Sequence, residues 1–316
     1  MKVIEHLEKA KNPLISFEIL PLQRGGDINV LFESLDALMK FNPPYIDVTS
    51  HSAQVQYEET PAGIKKKVKR KRPGTIGISV AIQNKYNIDT VPHILCNGFT
   101  KEETEDALIE LNYLGIENVL AVRGDELGFK KPIPEGRTSN IYASDLVDQI
   151  AHMNSGKYLE EDLLDAAPTN FCIGIGGYPE KHFEAPNLNT DIKIAKDKID
   201  LGAHYIVTQM FYNNKYYFEY VDKCKSAGIN APVIPGLKIL TSKNHLTSIP
   251  KNFFVEIPDE LSGEVQEAKP EHVLDIGVEW AFKQSEELLN SGVPSLHFYI
   301  MQSSKPIEKL MKKLKL

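Results

Sequence analysis

With 316 residues, 42% hydrophobic and 25% charged, the chain has the balance of an ordinary globular protein with room for a sizeable core. Its formal charge of −7 argues against a general nucleic-acid binder. The first residues lack the apolar core of a signal peptide, and no window approaches the ~18 apolar residues of a membrane span, so a cytoplasmic protein without a membrane partner is expected.

Short apolar runs alternate with helical patterns along the chain, the signature of a parallel α/β fold. Strands are expected at 14–20, 45–50, 91–95, 118–123, 171–177, 205–210, 232–237 and 295–300. Between them lie amphipathic segments such as 30–39, with apolar residues at helical spacing. The run Lys65-Lys-Lys-Val-Lys-Arg-Lys-Arg72 reads as a solvated helix face closed by Pro73-Gly74, in preference to a polyanion patch. Residues 75–82 are β-branched, but an eight-stranded barrel has no place for a ninth strand, so they are assigned to a helix. Thr100 precedes an acidic first turn and marks a helix start. Helices near 190–201 and 214–227 end at Gly202 and Gly228. Segments 126–139 and 258–270, rich in Gly, Pro and charge, read as long surface loops, the first as a lid beside the site.

Eight strand–helix units over about 300 residues predict a single-domain (β/α)8 TIM barrel, with a short basic tail at 305–316. A doubly wound fold is the runner-up, but no G-x-G-x-x-G follows the first strand. Cys96, Cys172 and Cys224 form no C-x-x-C pair, which speaks against a zinc knuckle and a disulfide framework. No H-E-x-x-H or facial-triad spacing supports a metal.

Polar residues stand at the ends of many of these strands, where rigid elements hold side chains in fixed geometry. Glu18 ends the first strand; desolvation there would raise its pKa and suit it to proton transfer, unless it only forms a structural ion pair. Arg123-Gly124-Asp125 ends the fourth strand. A chance adhesion tripeptide and a structural ion pair are weighed against an anion clamp with an adjacent carboxylate, and the clamp is preferred because Gly124 permits close backbone approach. His93, after a proline, suits a core or ligand-edge position. His182 lies in a loop rich in hydrogen-bonding groups, and Lys198 either neutralises phosphate or is simply exposed. Gln209 offers an amide for a flat heterocycle. Phe211 and Tyr212 beside it either stack on such a ring or pack in the core.

The pieces Ser16-Phe-Glu18, Asp47-Val-Thr49, Pro92-His93, Arg123-Gly-Asp125, Tyr142-Ala-Ser-Asp-Leu146, Tyr178-Pro-Glu180 with His182, Ile206-Val-Thr-Gln209, Ile234-Pro-Gly236 and Leu296-His-Phe-Tyr299 occur in order from about residue 12 to 300. Together they resemble the catalytic domain of the methylenetetrahydrofolate reductase family. The resemblance implies a (β/α)8 barrel holding FAD at the carboxyl ends of its strands. NADH or NADPH would reduce the flavin and leave, and methylenetetrahydrofolate would then accept the hydride in a ping-pong cycle. It further implies an FAD site of Thr49, Ser50, His93, Arg123, Gly124, Asp125, Tyr142, Ala143, Tyr178, His182, Ala185, Asp191 and Lys198. Glu18 and Asp125 would be catalytic, Glu18 as the acid that opens the folate imidazolidine ring and Asp125 as an electrostatic stabiliser. Glu18, Asp125, Gln209 and His245 would contact substrate. A homo-oligomer is expected on the same ground, and no S-adenosylmethionine-inhibited regulatory domain.

The chain departs from the family pattern at several of these positions. Thr49-Ser50-His51 replaces a common Thr-Tyr. His245 stands where a folate-contacting glutamine is usual, Ile249 at a stacking phenylalanine, and Ile300-Met-Gln-Ser303 where an arginine often follows. The changes at His245, Ile249 and Ser303 leave weight on a second reading, the same flavin barrel fed by a ferredoxin or a partner subunit; a third, a non-catalytic folate- or flavin-binding subunit, is opposed by the intact Glu18, Asp125 and Gln209.

Overall fold

The computed structural model describes residues 1–125, 130–301 and 303–314. The chain begins with α1 (Val3–Lys9), β1 (Leu14–Ile19), α2 (Ile28–Met39) and β2 (Tyr45–Val48). A hairpin of β3 (Gln54–Thr60) and β4 (Gly63–Lys69) follows, then α3 (Ile76–Tyr86), β5 (Asp89–Leu95), α4 (Lys101–Tyr113) and β6 (Asn118–Val122). The next units are α5 (Ala143–Asn154), β7 (Cys172–Gly177), α6 (Leu188–Asp200), β8 (Tyr205–Thr208) and α7 (Asn214–Ser226). Last come β9 (Val233–Ile234), β10 (Gly236–Leu237), α8 (His245–Phe253), α9 (Asp259–Glu267), α10 (Val273–Asn290), β11 (Ser295–Met301) and α11 (Lys305–Leu314).

All pairings of the large sheet are parallel, in the order β10-β11-β1-β2-β5-β6-β7-β8-β9. The two ends of that order are halves of one strand, split at Pro235, whose missing N–H breaks the ladder. Val233 pairs with Ile206 on one side and Gly236 with His297 on the other, so the ring closes as an eight-position barrel. The expected (β/α)8 fold and all eight expected strands are present, and 76–86 is a helix as assigned.

Alternation along the strands sorts the core. Ile15, Phe17, Ile19, Leu296, Phe298 and Leu237 face outward into the main helix-covered core. Tyr45, Val91, Leu120, Cys172 and Tyr205 fill the barrel interior, where Val3, Ile4 and Leu7 of α1 close the amino-terminal end. Asn118 clips α1 in place by accepting the Val3 N–H at 2.8 Å and donating to the Met1 carbonyl at 3.0 Å. The opposite end of the barrel, at the carboxyl ends of the strands, stays polar.

Thr100 caps α4 as expected: its hydroxyl accepts the Glu103 N–H at 3.2 Å, and Glu103 accepts the Thr100 N–H at 2.9 Å. Three expectations are corrected. The basic run 65–72 is not a helix face; residues up to 69 form β4, paired antiparallel with β3, because Ile64, Lys66 and Val68 alternate with Lys65, Lys67 and Lys69 at strand period. Within the expected 258–270 loop lies α9, whose acidic first turn and buried Leu261 and Val265 are spaced for a helix. The expected tail at 305–316 is α11 over its described part, with Ile307, Leu310 and Met311 buried. The lid reading falls partly on residues 126–129, outside the described residues.

At the barrel seam the Tyr299 hydroxyl reaches across to donate to the Thr208 carbonyl at 2.5 Å, and the Gly236 N–H donates to Thr208 Oγ1 at 2.9 Å. A Cβ on Gly236 would stand 2.1 Å from the Thr208 carbonyl oxygen and 2.5 Å from the Tyr299 hydroxyl. Gly236→Ala must therefore part β8 from the seam, and a loss of about 2 kcal/mol or more is expected in denaturant unfolding. A midpoint within error of wild type would show that the seam can yield.

Candidate active site

The carboxyl ends of the strands bring together two groups of charged side chains. The first lies in the barrel mouth. Glu18 on β1, Asp47 on β2 and His93 on β5 point inward, and His93 Nε2 is 3.5 Å from Glu18 Oε2 and 3.5 Å from Asp47 Oδ2. His297 on β11 lies 4.0 Å from Glu18 through Nε2, while its Nδ1 is held 2.8 Å from Ser16 Oγ. Lys238 follows β10. Register puts Glu18 level with Tyr299, and Leu237 level with Phe298, so Lys238, Tyr299 and Glu18 share one tier of the mouth.

Electrostatics here differ from the sequence expectation. Burial pushes Glu18 up, but His297, His93 and Lys238 outweigh it, and its pKa is lowered, not raised. Burial likewise disfavours charge on His93, yet Asp47 and Glu18 raise it above the usual histidine value. Lys238 is lowered by burial to about 8 although Glu18 favours its charge. Neither Asp47 nor Lys238 was singled out as a site residue from sequence. Their signal was alternation: Asp47 is two residues before Thr49, and Lys238 two after Gly236, each on the inward side.

The second group forms the wall beside the mouth. Arg123, at the end of β6, makes a two-pronged ion pair with Glu184 at 2.6 and 2.9 Å. Gly124 has φ +84°, the left-handed region, and a Cβ there would come 3.3 Å from the Leu95 side chain. Asn97 fixes this turn, its backbone N–H donating to the Arg123 carbonyl at 2.9 Å and its amide to that of Gly124 at 2.8 Å. Asp125 is exposed at the tip. In the β7–α6 loop the His182 N–H donates to Asp191 at 2.9 Å, and the His182 ring meets Tyr178 edge-on at 4.6 Å. Lys198 is buried on α6, as is Asp191, so the bland reading of an exposed lysine is corrected. Burial lowers Lys198 and raises Asp191, each opposed by the other's charge. Ala185 is buried in the same loop.

Other expected residues spread around this frame. Thr49 is buried with its hydroxyl unpartnered among the described residues, and Ser50 follows it half-buried. Tyr142 and Ala143 open α5; the Tyr142 side chain is exposed, and its carbonyl accepts from Cys96 Sγ at 3.3 Å. Gln209 is half-buried after β8, its amide oxygen accepting the Met210 N–H at 3.0 Å. Phe211 and Tyr212 both pack in core clusters rather than into the mouth. His245 accepts the Thr241 N–H at 3.2 Å, and burial with Lys238 nearby lowers its pKa. Ile249 is buried in a satellite core with Met210 and Leu240, and Ser303 is exposed.

A closed parallel barrel with an ionisable cluster in its carboxyl mouth and cations along the adjoining wall has the layout of barrel proteins that take an anionic ligand at that end. The sequence matches the profile of the methylenetetrahydrofolate reductase family over residues 2–315, and the chain belongs to that family. It is 31% identical to methylenetetrahydrofolate reductase 1 of Schizosaccharomyces pombe, over 95% of this chain and 45% of that one. It is 25% identical to 5,10-methylenetetrahydrofolate reductase of Salmonella typhimurium, over 91% of this chain and 86% of that one. The chain spans about half the length of the eukaryotic relatives it matches. An uncharacterized protein from Clostridium thermocellum that binds two copies of 5-methyl-5,6,7,8-tetrahydrofolic acid shares the fold, with TM-score 0.60 and 11% identity over 99% of this chain and all of that one.

The wall is tied to the α8–α9 connection by one carboxyl group. Glu180 accepts the Glu256 N–H at 2.7 Å, and Phe183 stacks on Phe254 at 4.6 Å beside it. Burial pushes Glu180 up to about 7 despite that hydrogen bond. Between the ordinary carboxyl value and about 7 the folded protein keeps a proton that the unfolded chain has lost, so stability falls as pH rises through this window. Glu180→Gln keeps an acceptor for Glu256 but removes the titration. Its thermal midpoint is expected to fall less than that of wild type between about pH 5 and pH 8, read by calorimetry. Parallel curves for the two proteins would refute this assignment.

Proposed function

We propose that this chain reduces 5,10-methylenetetrahydrofolate to 5-methyltetrahydrofolate through bound FAD, with NADH or NADPH as reductant. The observation that carries this reading is the juxtaposition, in a member of this family, of the Glu18 cluster in the mouth with the Arg123–Lys198 wall.

The residues present fit FAD. Thr49 Oγ1 and His51 Nδ1 are buried and unpartnered among the described residues, Gly124 leaves the turn without a Cβ, and a buried lysine lies on the wall. In this reading Arg123 and Lys198 offset the pyrophosphate charge, and Thr49, Ser50, His93, Gly124, Asp125, Tyr142, Ala143, Tyr178, His182, Ala185 and Asp191 complete the site. Bound FAD would supply the hydride chemistry that no side chain offers.

The protein's own contribution is orientation and charge. Opening the folate imidazolidine ring needs a proton on the departing bridge nitrogen, and Glu18 at the mouth is the carboxyl to deliver it. Asp125, exposed at the tip of the β6 turn, stabilises the resulting cation through its charge. The Gln209 amide oxygen accepts the Met210 N–H, and in this reading its NH2 addresses a flat heterocycle. Ile249 lies in the core and Ser303 is exposed, so the phenylalanine and arginine contacts that the family resemblance implies at these positions are replaced, and His245 is the polar group of this region assigned to substrate.

Purified protein reconstituted with FAD is expected to be yellow, to bleach with NADH or NADPH, and to regain colour with methylenetetrahydrofolate. Glu18→Gln should keep the colour and the bleaching while folate-dependent reoxidation falls by about 100-fold or more. Undiminished reoxidation in that variant would remove Glu18 from the acid role. Protein that takes up no FAD would end the flavin reading.

A further inference from the structure

Glu18 has a difficulty as a proton donor: its surroundings hold its pKa below the usual carboxylate range. The charged groups facing it explain this. His297 and His93 stand 4.0 and 3.5 Å away, and Lys238 lies on the same tier. A carboxyl group shifted in that direction needs a proton source beside it, and the geometry of the cluster offers one.

Asp47 is 1% exposed, and neither of its carboxyl oxygens has a hydrogen-bond partner among the described residues. Leaving an acid so placed is costly unless a cation answers it. The one ion pair it makes among the described residues is with His93 Nε2 at 3.5 Å, and the same nitrogen is 3.5 Å from Glu18. His93 is itself 7% exposed, and Nε2 has no hydrogen-bond partner among the described residues. Three adjacent barrel strands, β1, β2 and β5, thus bring one imidazole nitrogen between two carboxyl groups.

We propose that His93 stores, on Nε2, the proton that Glu18 passes to the substrate, and that Asp47 is the positioning residue that keeps it there. This rests on the reductase reading above. In the step, the His93 Nε2–H bond breaks as a Glu18 Oε2–H bond forms. The Glu18 O–H then breaks as an N–H bond forms on the departing bridge nitrogen of the folate, whose carbon–nitrogen bond breaks. His93 is left neutral and takes a proton back from solvent. Asp47, buried and level with Glu18 on the next strand, touches neither substrate nor cofactor in this scheme. Among the described residues His51 also lies in electrostatic reach of His93; burial and Arg72 lower its pKa against the pull of Asp125 and Glu18, whereas the pKa of His93 is raised.

The test uses the FAD-loaded protein. Flavin absorbance follows the nicotinamide-dependent and folate-dependent half-reactions separately, and NMR follows the imidazole titrations. In Asp47→Asn the folate-dependent rate is expected to fall at least about tenfold more than the nicotinamide-dependent rate. Its alkaline limb should move to lower pH by about one unit or more, because His93 loses a carboxylate neighbour. The His93 NMR titration should move the same way, and Asp47→Glu should restore part of both shifts. Equal slowing of the two half-reactions, or an unmoved His93 titration, would overturn the proposal. If Asp47→Asn does not fold, His93→Gln decides: the alkaline limb of folate reduction should vanish, and its persistence is the contrary result. Wild-type protein that bleaches but is not reoxidised by folate would end the reductase reading, while the NMR titration would still judge the Asp47–His93 pair.

Discussion

The mouth of this barrel is organised by the close approach of two backbones, at Gly236 and Thr208, and the Tyr299 side chain at the seam. The strand split at Pro235 must pair on both sides for the ring to close, and at Gly236 it passes so near β8 that only hydrogen fits. That approach lets the Tyr299 hydroxyl cross to the Thr208 carbonyl. It also sets the height at which Lys238 emerges beside Glu18. Packing at one glycine thus fixes which charges share a tier, and the behaviour of the acid follows from that tier. The link from chain geometry to chemistry here runs through steric contact before it runs through electrostatics.

Charge at the mouth is balanced locally. Two inward carboxyl groups on neighbouring strands would repel each other in a poorly solvated interior, and His93 between them relieves this. The wall works with a similar economy: buried Lys198 has Asp191 on its own helix, and Arg123 has Glu184 across the turn. Each cation expected to meet a phosphate is already accompanied by a carboxylate. An anion arriving at Arg123 would exchange places with Glu184, which favours a ligand that presents several oxygens at once.

Much of the fold was legible because buried parallel strands leave continuous apolar runs, and the polar residue ending each run marks the mouth. Glu18, Arg123 and Gln209 were found in this way. The hairpin was misread because a run of lysines satisfies helix and strand alike, and its alternating Ile64 and Val68 were too sparse to dominate. Helix α9 was hidden by the charge and glycine around it. Asp47 stands in the Asp47-Val-Thr49 run with no role legible there, since nothing in a linear sequence tells which face of the second strand His93 will meet. The lowered pKa of Glu18 was out of reach for the same reason: burial is legible one strand at a time, but the histidines that counter it come from β5 and β11.

The hairpin of β3 and β4 carries a consequence for how the protein behaves at high concentration. It forms a two-stranded sheet by itself, so each strand offers an outer edge with open backbone donors and acceptors. Val55, Tyr57, Ile64 and Val68 share one of its faces, with Tyr57 71% and Ile64 73% exposed. Such an edge is a template for adding another strand. Lys65, Lys67 and Lys69 occupy the opposite face, where Glu58 pairs with Lys67, and the surplus positive charge on a second hairpin keeps the two apart over about a Debye length. Colloidal stability of this chain is accordingly tied to ionic strength, with salt screening the lysines and leaving the apolar face to act.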